Sequence, residues 1–121
     1  MVNKDSLEWL KFARQDIDAA WQLFSQQQNP RKRPIEVIMY LCQQGAEKAL
    51  KAYIVQHKIL TKNLQTHALQ ILRQECSQWQ SQFNGMRIIK HCANLDPFSV
   101  AIRYPYHNNF VYKVIGFKLF D

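Results

Sequence analysis

Glycine and proline are scarce in this sequence of 121 residues, which contains three glycines and four prolines. Tight turns are therefore few and the structural elements must be long, which favours helices. No apolar run approaches the roughly 20 residues that a membrane-spanning helix needs. The opening stretch, MVNKDSLEWLKF, is too polar for a signal peptide, so we expect a cytoplasmic protein.

Metal-ligand spacing is also missing from the sequence. The three cysteines, Cys42, Cys76 and Cys92, form no Cys-x-x-Cys pair, and each falls on an apolar stripe. The four histidines have no ligand spacing with one another or with the cysteines. They are His57, His67, His91 and His107. We therefore predict reduced core thiols, no metal site and no cofactor.

Acidic residues are few, and they are unevenly distributed. The chain has 16 Lys and Arg residues against 9 Asp and Glu residues, a formal net charge of +7. Residues 1–47 contain six of each sign, whereas residues 48–121 contain ten basic and three acidic residues. The second half is therefore predicted to contact a polyanion or an acidic partner, unless the charge serves solubility alone.

Apolar residues recur at steps of three and four in four segments, which predicts four helices. The expected helices span residues 5–24, 35–58, 66–83 and 86–95. Thr66 is the expected N-cap of the third helix, and Asn84-Gly85 is its expected left-handed C-terminal cap. The predicted fold is an all-α antiparallel up-and-down bundle of four main helices in one domain, residues 1–121, with an irregular apolar C-terminal tail.

The same stripes predict which side chains are buried. The residues expected to be mostly buried in the bundle are Trp21, Leu50, Tyr53, Leu72 and Trp79. In the fourth helix we expect Met86, Ile89, Cys92 and Ala93 to be buried, with Arg87, Lys90 and His91 forming a basic outer face. Gly45 costs about 1 kcal/mol of helix propensity relative to alanine, so its place within the second helix predicts close contact with another helix.

Several short motifs follow one another along the chain. They are Trp9 and Asp16 in the first helix, Glu-Lys-Ala-x-Lys-Ala at 47–52, Thr66-His67 opening the third helix, and Arg103-Tyr104-Pro105. In this order and spacing they resemble the HEPN domains, the higher-eukaryote and prokaryote nucleotide-binding fold. The resemblance extends over residues 7–105.

The resemblance implies a bundle of four or five helices that usually dimerises and is often encoded beside a small nucleotidyltransferase. Some HEPN members are metal-independent ribonucleases of toxin–antitoxin pairs. In those members an arginine steadies the phosphate, and a histidine that follows after four to six residues moves protons. Other members keep only an Arg-Tyr-Pro loop, the subgroup that this chain resembles. A homodimer, a nucleotidyltransferase partner and a nucleotide or RNA ligand are thus implied.

Arg103 and His107 are the candidate catalytic residues, but only three residues separate them, one fewer than in the nuclease motif. Pro105 restricts Tyr104 to extended conformations, which spreads the arginine and the histidine apart. Three interpretations stay open. Arg103 bridges to a buried acid, with Asp16 and Glu47 as the available partners. Alternatively, Arg103, Tyr104 and His107 hold a phosphate and stack on a base, or Arg103 and His107 cleave RNA.

The remaining candidate residues lie in the first two predicted helices, except for Pro105. Lys48 and Lys51 are assigned to ligand binding, whereas Asp16, Glu47, Gly45 and Pro105 are assigned structural roles. The terminal segment contains many large apolar side chains and has no clear helical period. These are Phe110, Val111, Val114, Ile115, Phe117, Leu119 and Phe120. Because exposing them all would promote association, the segment supports the prediction of a homodimer.

Overall fold

The computed structural model describes residues 3–57 and 62–101. This part of the chain contains α1 (Lys4–Gln26), α2 (Ile35–His57), α3 (Leu69–Cys76), α4 (Met86–Leu95) and α5 (Phe98–Ala101). Three 3₁₀ turns, Pro30–Lys32, Lys62–Gln65 and Ser81–Asn84, lie between the helices. No strand occurs among the described residues, so the predicted all-α fold is confirmed. The predicted C-terminal tail lies outside the described residues.

The two long helices, α1 and α2, pack against each other in opposite directions. The hydroxyl of Ser6, near the start of α1, donates a buried hydrogen bond of 2.8 Å to the carbonyl of Ala52, near the end of α2. At the other end of the pair, Ala20 of α1 packs with Ile38 of α2 in one apolar cluster. The α1–α2 pair is therefore antiparallel, as predicted.

Gly45 allows α1 and α2 to approach each other closely. A Cβ atom at Gly45 would lie 2.6 Å from Cδ1 of Ile17 and 3.2 Å from the carbonyl oxygen of Ala13. Both distances are shorter than ordinary van der Waals contact, so a larger side chain would require Ile17 to move and would press on the backbone of α1 at Ala13. The two helices are therefore in close contact at Gly45.

The second apolar cluster joins α2 to α3 and α4. Its buried members are Leu50, Ile54, Leu69, Leu72, Cys76 and Cys92. Helices α2 and α3 run in the same direction. Gln43 of α2 donates to the carbonyl of His67, just before α3, and the thiol of Cys76, at the end of α3, donates to the carbonyl of Leu50, farther along α2. The α3–α4 pair is antiparallel, because Asp96, after the end of α4, bonds to the first amides of α3.

The third helix is shorter than predicted, because α3 ends at Cys76 and not at Phe83. A turn follows, and Gln80 adopts an extended backbone with φ −151°. The guanidinium of Arg73 donates to the carbonyl of Phe83 at 3.0 Å, which holds this turn against α3. The predicted left-handed cap at Gly85 is also wrong: its φ is −63°, and the residue is instead the N-cap of α4.

The start of α3 also differs from the prediction. Thr66 is not the N-cap, because α3 begins at Leu69 with Ala68 in the cap position. The Thr66 hydroxyl instead accepts a hydrogen bond from the Ala68 amide at 3.1 Å. The free amide of Leu69 donates to the carboxylate of Asp96 at 2.5 Å. A side chain distant in sequence therefore supplies the cap that the local sequence lacks.

The burial predictions are confirmed for Leu50 and Leu72, whereas Tyr53 and Trp79 are half-buried. Trp21 was expected to be buried, and this prediction is wrong because the residue is 50% exposed. The predictions for Met86 and Ala93 are also wrong, since both are exposed. The reason is that α4 rests on α3 through the side of the helix that carries Ile88, Cys92 and Leu95, and Met86 and Ala93 lie off that side.

The three cysteines are buried and free, as predicted. Burial raises the pKa of Cys42 to about 11, of Cys76 to about 12 and of Cys92 to about 11. The thiols therefore stay protonated and poorly reactive at neutral pH. Among the described residues, no helix has the length and apolar character required to cross a membrane.

Candidate functional site

The segment with the Arg–His pair, Arg103, Tyr104, Pro105 and His107, lies outside the described residues. Its predicted roles therefore stay predictions. The other sequence-predicted residues lie on α1 and α2, where the structure brings them into two separate groups of charged side chains. One group contains Asp16 and Lys48, and the other is built around Glu47.

Asp16 of α1 and Lys48 of α2 form an ion pair across the two helices. The Lys48 Nζ atom lies 2.7 Å from Oδ2 of Asp16, and the side chains are 26% and 18% exposed. Lys48 was predicted to bind a ligand, and its ammonium already has a carboxylate partner here. The pair therefore links α1 to α2 at a partly exposed position.

Glu47 and Lys51 lie one helical turn apart on the buried side of α2. The Lys51 Nζ atom is 2.9 Å from Oε2 of Glu47, and each side chain is only 5% exposed. Trp9 of α1 covers this pair, with the Lys51 ammonium 5.6 Å from the centre of the indole ring. Buried charges of this kind are stable only when they are paired. Lys51 therefore holds Glu47 in place.

His67, just before α3, is bonded to the same carboxylate. Its Nδ1 atom lies 3.0 Å from Oε1 and 3.2 Å from Oε2 of Glu47. Gln43 fixes the histidine backbone, because its amide nitrogen donates to the His67 carbonyl at 3.0 Å. An ionised carboxylate only accepts hydrogen bonds, so Nδ1 carries a proton. In the neutral ring the lone pair is then on Nε2, on a side chain that is 70% exposed.

We name these four residues, Gln43, Glu47, Lys51 and His67, the Glu47 cluster. The sequence assigned a structural role to Glu47 and a ligand role to Lys51, but it gave His67 no site role. One feature of the sequence indicates the site: Gln43, Glu47 and Lys51 recur at steps of four residues, so three polar side chains lie in a row on the buried side of α2. A polar line on a core-facing side requires a polar partner, which the sequence alone did not identify.

A second candidate surface is the outer side of α4. Arg87, Lys90 and His91 are all exposed there, as predicted. Together with Met86, Ile89 and Asn94 they line a shallow groove of about 550 Å³, and none of these lining residues is acidic. We name the three basic residues the α4 basic face. Its composition is suited to an anionic ligand.

The α4 basic face and the Glu47 cluster are connected through α3. The side-chain amide of Gln70 donates to the carbonyl of Ile89 at 2.9 Å, so the start of α3 lies against the middle of α4. Asp96, one residue after α4, bonds to the amide of Leu69, two residues after His67. His67 therefore lies at the same end of the molecule as the C-terminal end of α4.

The described residues contain no group of three or more His, Cys, Asp or Glu side chains that is arranged to hold a metal ion. The Glu47 cluster and the α4 basic face offer cations, an exposed imidazole and a buried carboxylate. These groups bind anions and transfer protons.

A family model for the HEPN domain matches residues 6–115. No curated protein and no solved structure matches the chain. The matched range contains the Glu47 cluster, the α4 basic face and the segment with Arg103 and His107.

Proposed function

The chain belongs to the HEPN domain family, and from this membership we propose that it is an RNA-binding module whose basic second half holds the phosphates of a single strand. The observation that supports the proposal is the α4 basic face, a set of three exposed basic side chains with no acid among the groove residues. The excess positive charge of residues 48–121 favours the same half of the chain.

The spacing of the basic residues suits a linear polyanion. Arg87 and Lys90 are three residues apart and Arg87 and His91 are four apart, so their side chains are neighbours on one side of the helix. Cations at this spacing can contact successive phosphates and release the counterions bound to them. Exposed Met86 adds an apolar surface beside the cations, which a base can contact.

Fluorescence anisotropy with a labelled single-stranded RNA tests the proposal. We expect binding at low ionic strength that weakens as salt is added. The double variant Arg87→Ala/Lys90→Ala should bind more weakly and should reduce the slope of log affinity against log salt by roughly 1.4, about 0.7 for each lost phosphate contact.

The matched control removes two exposed lysines from the other half of the chain, Lys4→Ala/Lys11→Ala on α1. It has the same loss of charge but should bind RNA as the wild type does. An absence of wild-type binding at low salt, or an equal loss in the two double variants, would contradict the proposed role of α4.

We also propose that the protein is a homodimer that associates through α1. Five large apolar side chains of α1 are 42% to 53% exposed, and all of them except Phe12 recur at helical spacing. These four are Leu7, Leu10, Ile17 and Trp21. An apolar side of this extent is typical of an interface, and two-fold pairing buries it with itself.

Light scattering at micromolar concentration tests the dimer. The wild type should have twice the mass of one chain, and Leu10→Glu/Trp21→Glu should have the mass of a monomer with its helix content retained. Ile71→Glu, at another exposed apolar position, should stay dimeric. A monomeric wild type would rule out the dimer.

Two finer implications of the family resemblance stay predictions. One is pairing with a small nucleotidyltransferase, as in a toxin–antitoxin pair. The other is RNA cleavage by Arg103 and His107, the alternative to a function in binding alone. Arg103 and His107 lie outside the described residues, so the contacts described above do not test this alternative.

A further inference from the structure

We propose that the imidazole ring of His57 is a stacking platform for one nucleobase of the bound single strand. The proposal rests on the proposed RNA binding and deepens it, because it adds a contact to a base to the phosphate contacts of the α4 basic face. It assigns a binding role to a histidine that no motif in the sequence singles out.

Four rings meet at the end of α2, and we name them the aromatic cluster. They are Tyr53, His57, Trp79 and Phe83. The rings of His57 and Trp79 are stacked, with centroids 4.9 Å apart and planes only 12° from parallel. The centroid of Tyr53 lies 4.6 Å from that of His57, at an interplanar angle of 50°. The indole and the phenol ring therefore fix the orientation of the imidazole.

The second face of the imidazole is available to a ligand. His57 is exposed, whereas the other three rings are half-buried and pack against the apolar cluster that joins α2, α3 and α4. Because one face of His57 rests on Trp79, the exposed area of the ring includes the opposite face. Histidine and the other aromatic side chains stack on unpaired RNA bases, and any base can be accepted in this way. A base on His57 would add a third layer to the existing stack.

The aromatic cluster is held in place by hydrogen bonds. The hydroxyl of Tyr53 donates to the side-chain oxygen of Gln80 at 3.1 Å, which joins α2 to the turn after α3. Arg73 is only 6% exposed, and its guanidinium donates to the carbonyl of Phe83 at 3.0 Å. The rings that support His57 are thus in position without a ligand, and binding a base requires little further ordering of side chains.

The aromatic cluster is close to the α4 basic face along the chain. The ring of Tyr53 contacts both His57 and Phe83, with centroid distances of 4.6 Å and 4.8 Å. Phe83 precedes Arg87, the first residue of the α4 basic face, by four residues, which span at most about 14 Å. A strand of a few nucleotides is long enough to contact both surfaces, so one RNA can place phosphates on α4 and a base on His57.

The test compares two fluorescently labelled strands of equal length by anisotropy at low ionic strength. One is an adenine RNA, and the other has the same ribose-phosphate backbone with every base removed. The phosphate contacts are the same for both strands, so the ratio of their affinities measures the contacts to bases. We expect the wild type to favour the adenine strand and His57→Ala to lower that ratio roughly 10-fold, as is usual when one stacked base is lost.

Two further variants distinguish the ring of His57 from its charge. His57→Tyr keeps an aromatic ring that can stack on Trp79, and it should keep the wild-type ratio. His57→Lys keeps a cation without a ring, and it should lower the ratio as His57→Ala does. The matched control is His67→Asn, which changes another exposed histidine. His67 bonds to Glu47, which lies about 15 Å from His57 along α2, so this variant should keep the wild-type ratio.

The possible results separate this inference from the proposed function. A wild-type ratio in His57→Ala would overturn the inference. A ratio kept by His57→Lys and lost by His57→Tyr would overturn it as well, because the contact would then be one of charge. In both cases the protein still binds RNA, and the proposed function stands. Failure of the wild type to bind the adenine strand at low ionic strength would refute the proposed function and this inference with it.

Discussion

Glu47→Ala is expected to lower the free energy of unfolding by about 3–5 kcal/mol, because it leaves a buried cation without its partner. Lys51 is 5% exposed, and Glu47 is the carboxylate that its ammonium contacts. Removing Glu47 also removes the acceptor that holds the His67 ring. Urea unfolding followed by circular dichroism measures the effect.

A double variant separates the cost of an unpaired charge from the value of the pair. Glu47→Leu/Lys51→Met replaces both charges by apolar side chains of similar size, and we expect it to recover most of the stability that Glu47→Ala loses. Exposed ion pairs contribute up to about 1 kcal/mol to stability. A loss below that value for Glu47→Ala would show that the Lys51 ammonium is hydrated in solution. The Glu47 cluster would then not be the rigid, buried arrangement described above.

Leu72→Ala is expected to lower the free energy of unfolding by about 2–5 kcal/mol. Leu72 has 0% exposure and lies in the apolar cluster that joins α2, α3 and α4. The substitution removes buried methyl groups and leaves a cavity that the surrounding helices can only partly close. Thermal or urea unfolding of the variant measures the loss.

The adjacent residue provides the control. Ile71 is also on α3 but is 42% exposed, so Ile71→Ala should change stability by only about 0.5 kcal/mol, as is usual at surface positions. If the two variants lose equal stability, α3 is rotated about its axis relative to the structure described here. His67 would then face a different side of α2.

The two long helices could be predicted from the sequence because their apolar residues recur over several turns. The predicted ranges, residues 5–24 and 35–58, agree closely with Lys4–Gln26 and Ile35–His57. The end of α3 could not be predicted. Apolar residues recur at helical spacing as far as Phe83, whereas the helix ends at Cys76. Arg73 bonds to the carbonyl of Phe83 only when the chain has turned back, and that contact is not visible in a local pattern.

The candidate site was predictable only in part for a similar reason. The spacing of Glu47 and Lys51 places them on one side of a helix, but the contact from His67 to Glu47 joins residues 20 apart. It depends on how α3 returns against α2. Trp21 shows the same limit in the core: its stripe predicts burial, and the absence of a covering helix in the described part of the chain leaves it half-exposed.

The most direct test of the central proposal, RNA binding on α4, is a titration of isotope-labelled protein with single-stranded RNA, followed by the backbone amide signals. We expect the largest shifts at Arg87, Lys90 and His91, and little change at Lys4 and Lys11 of α1. Shifts confined to α1, or no shifts at low ionic strength, would contradict RNA binding on this surface.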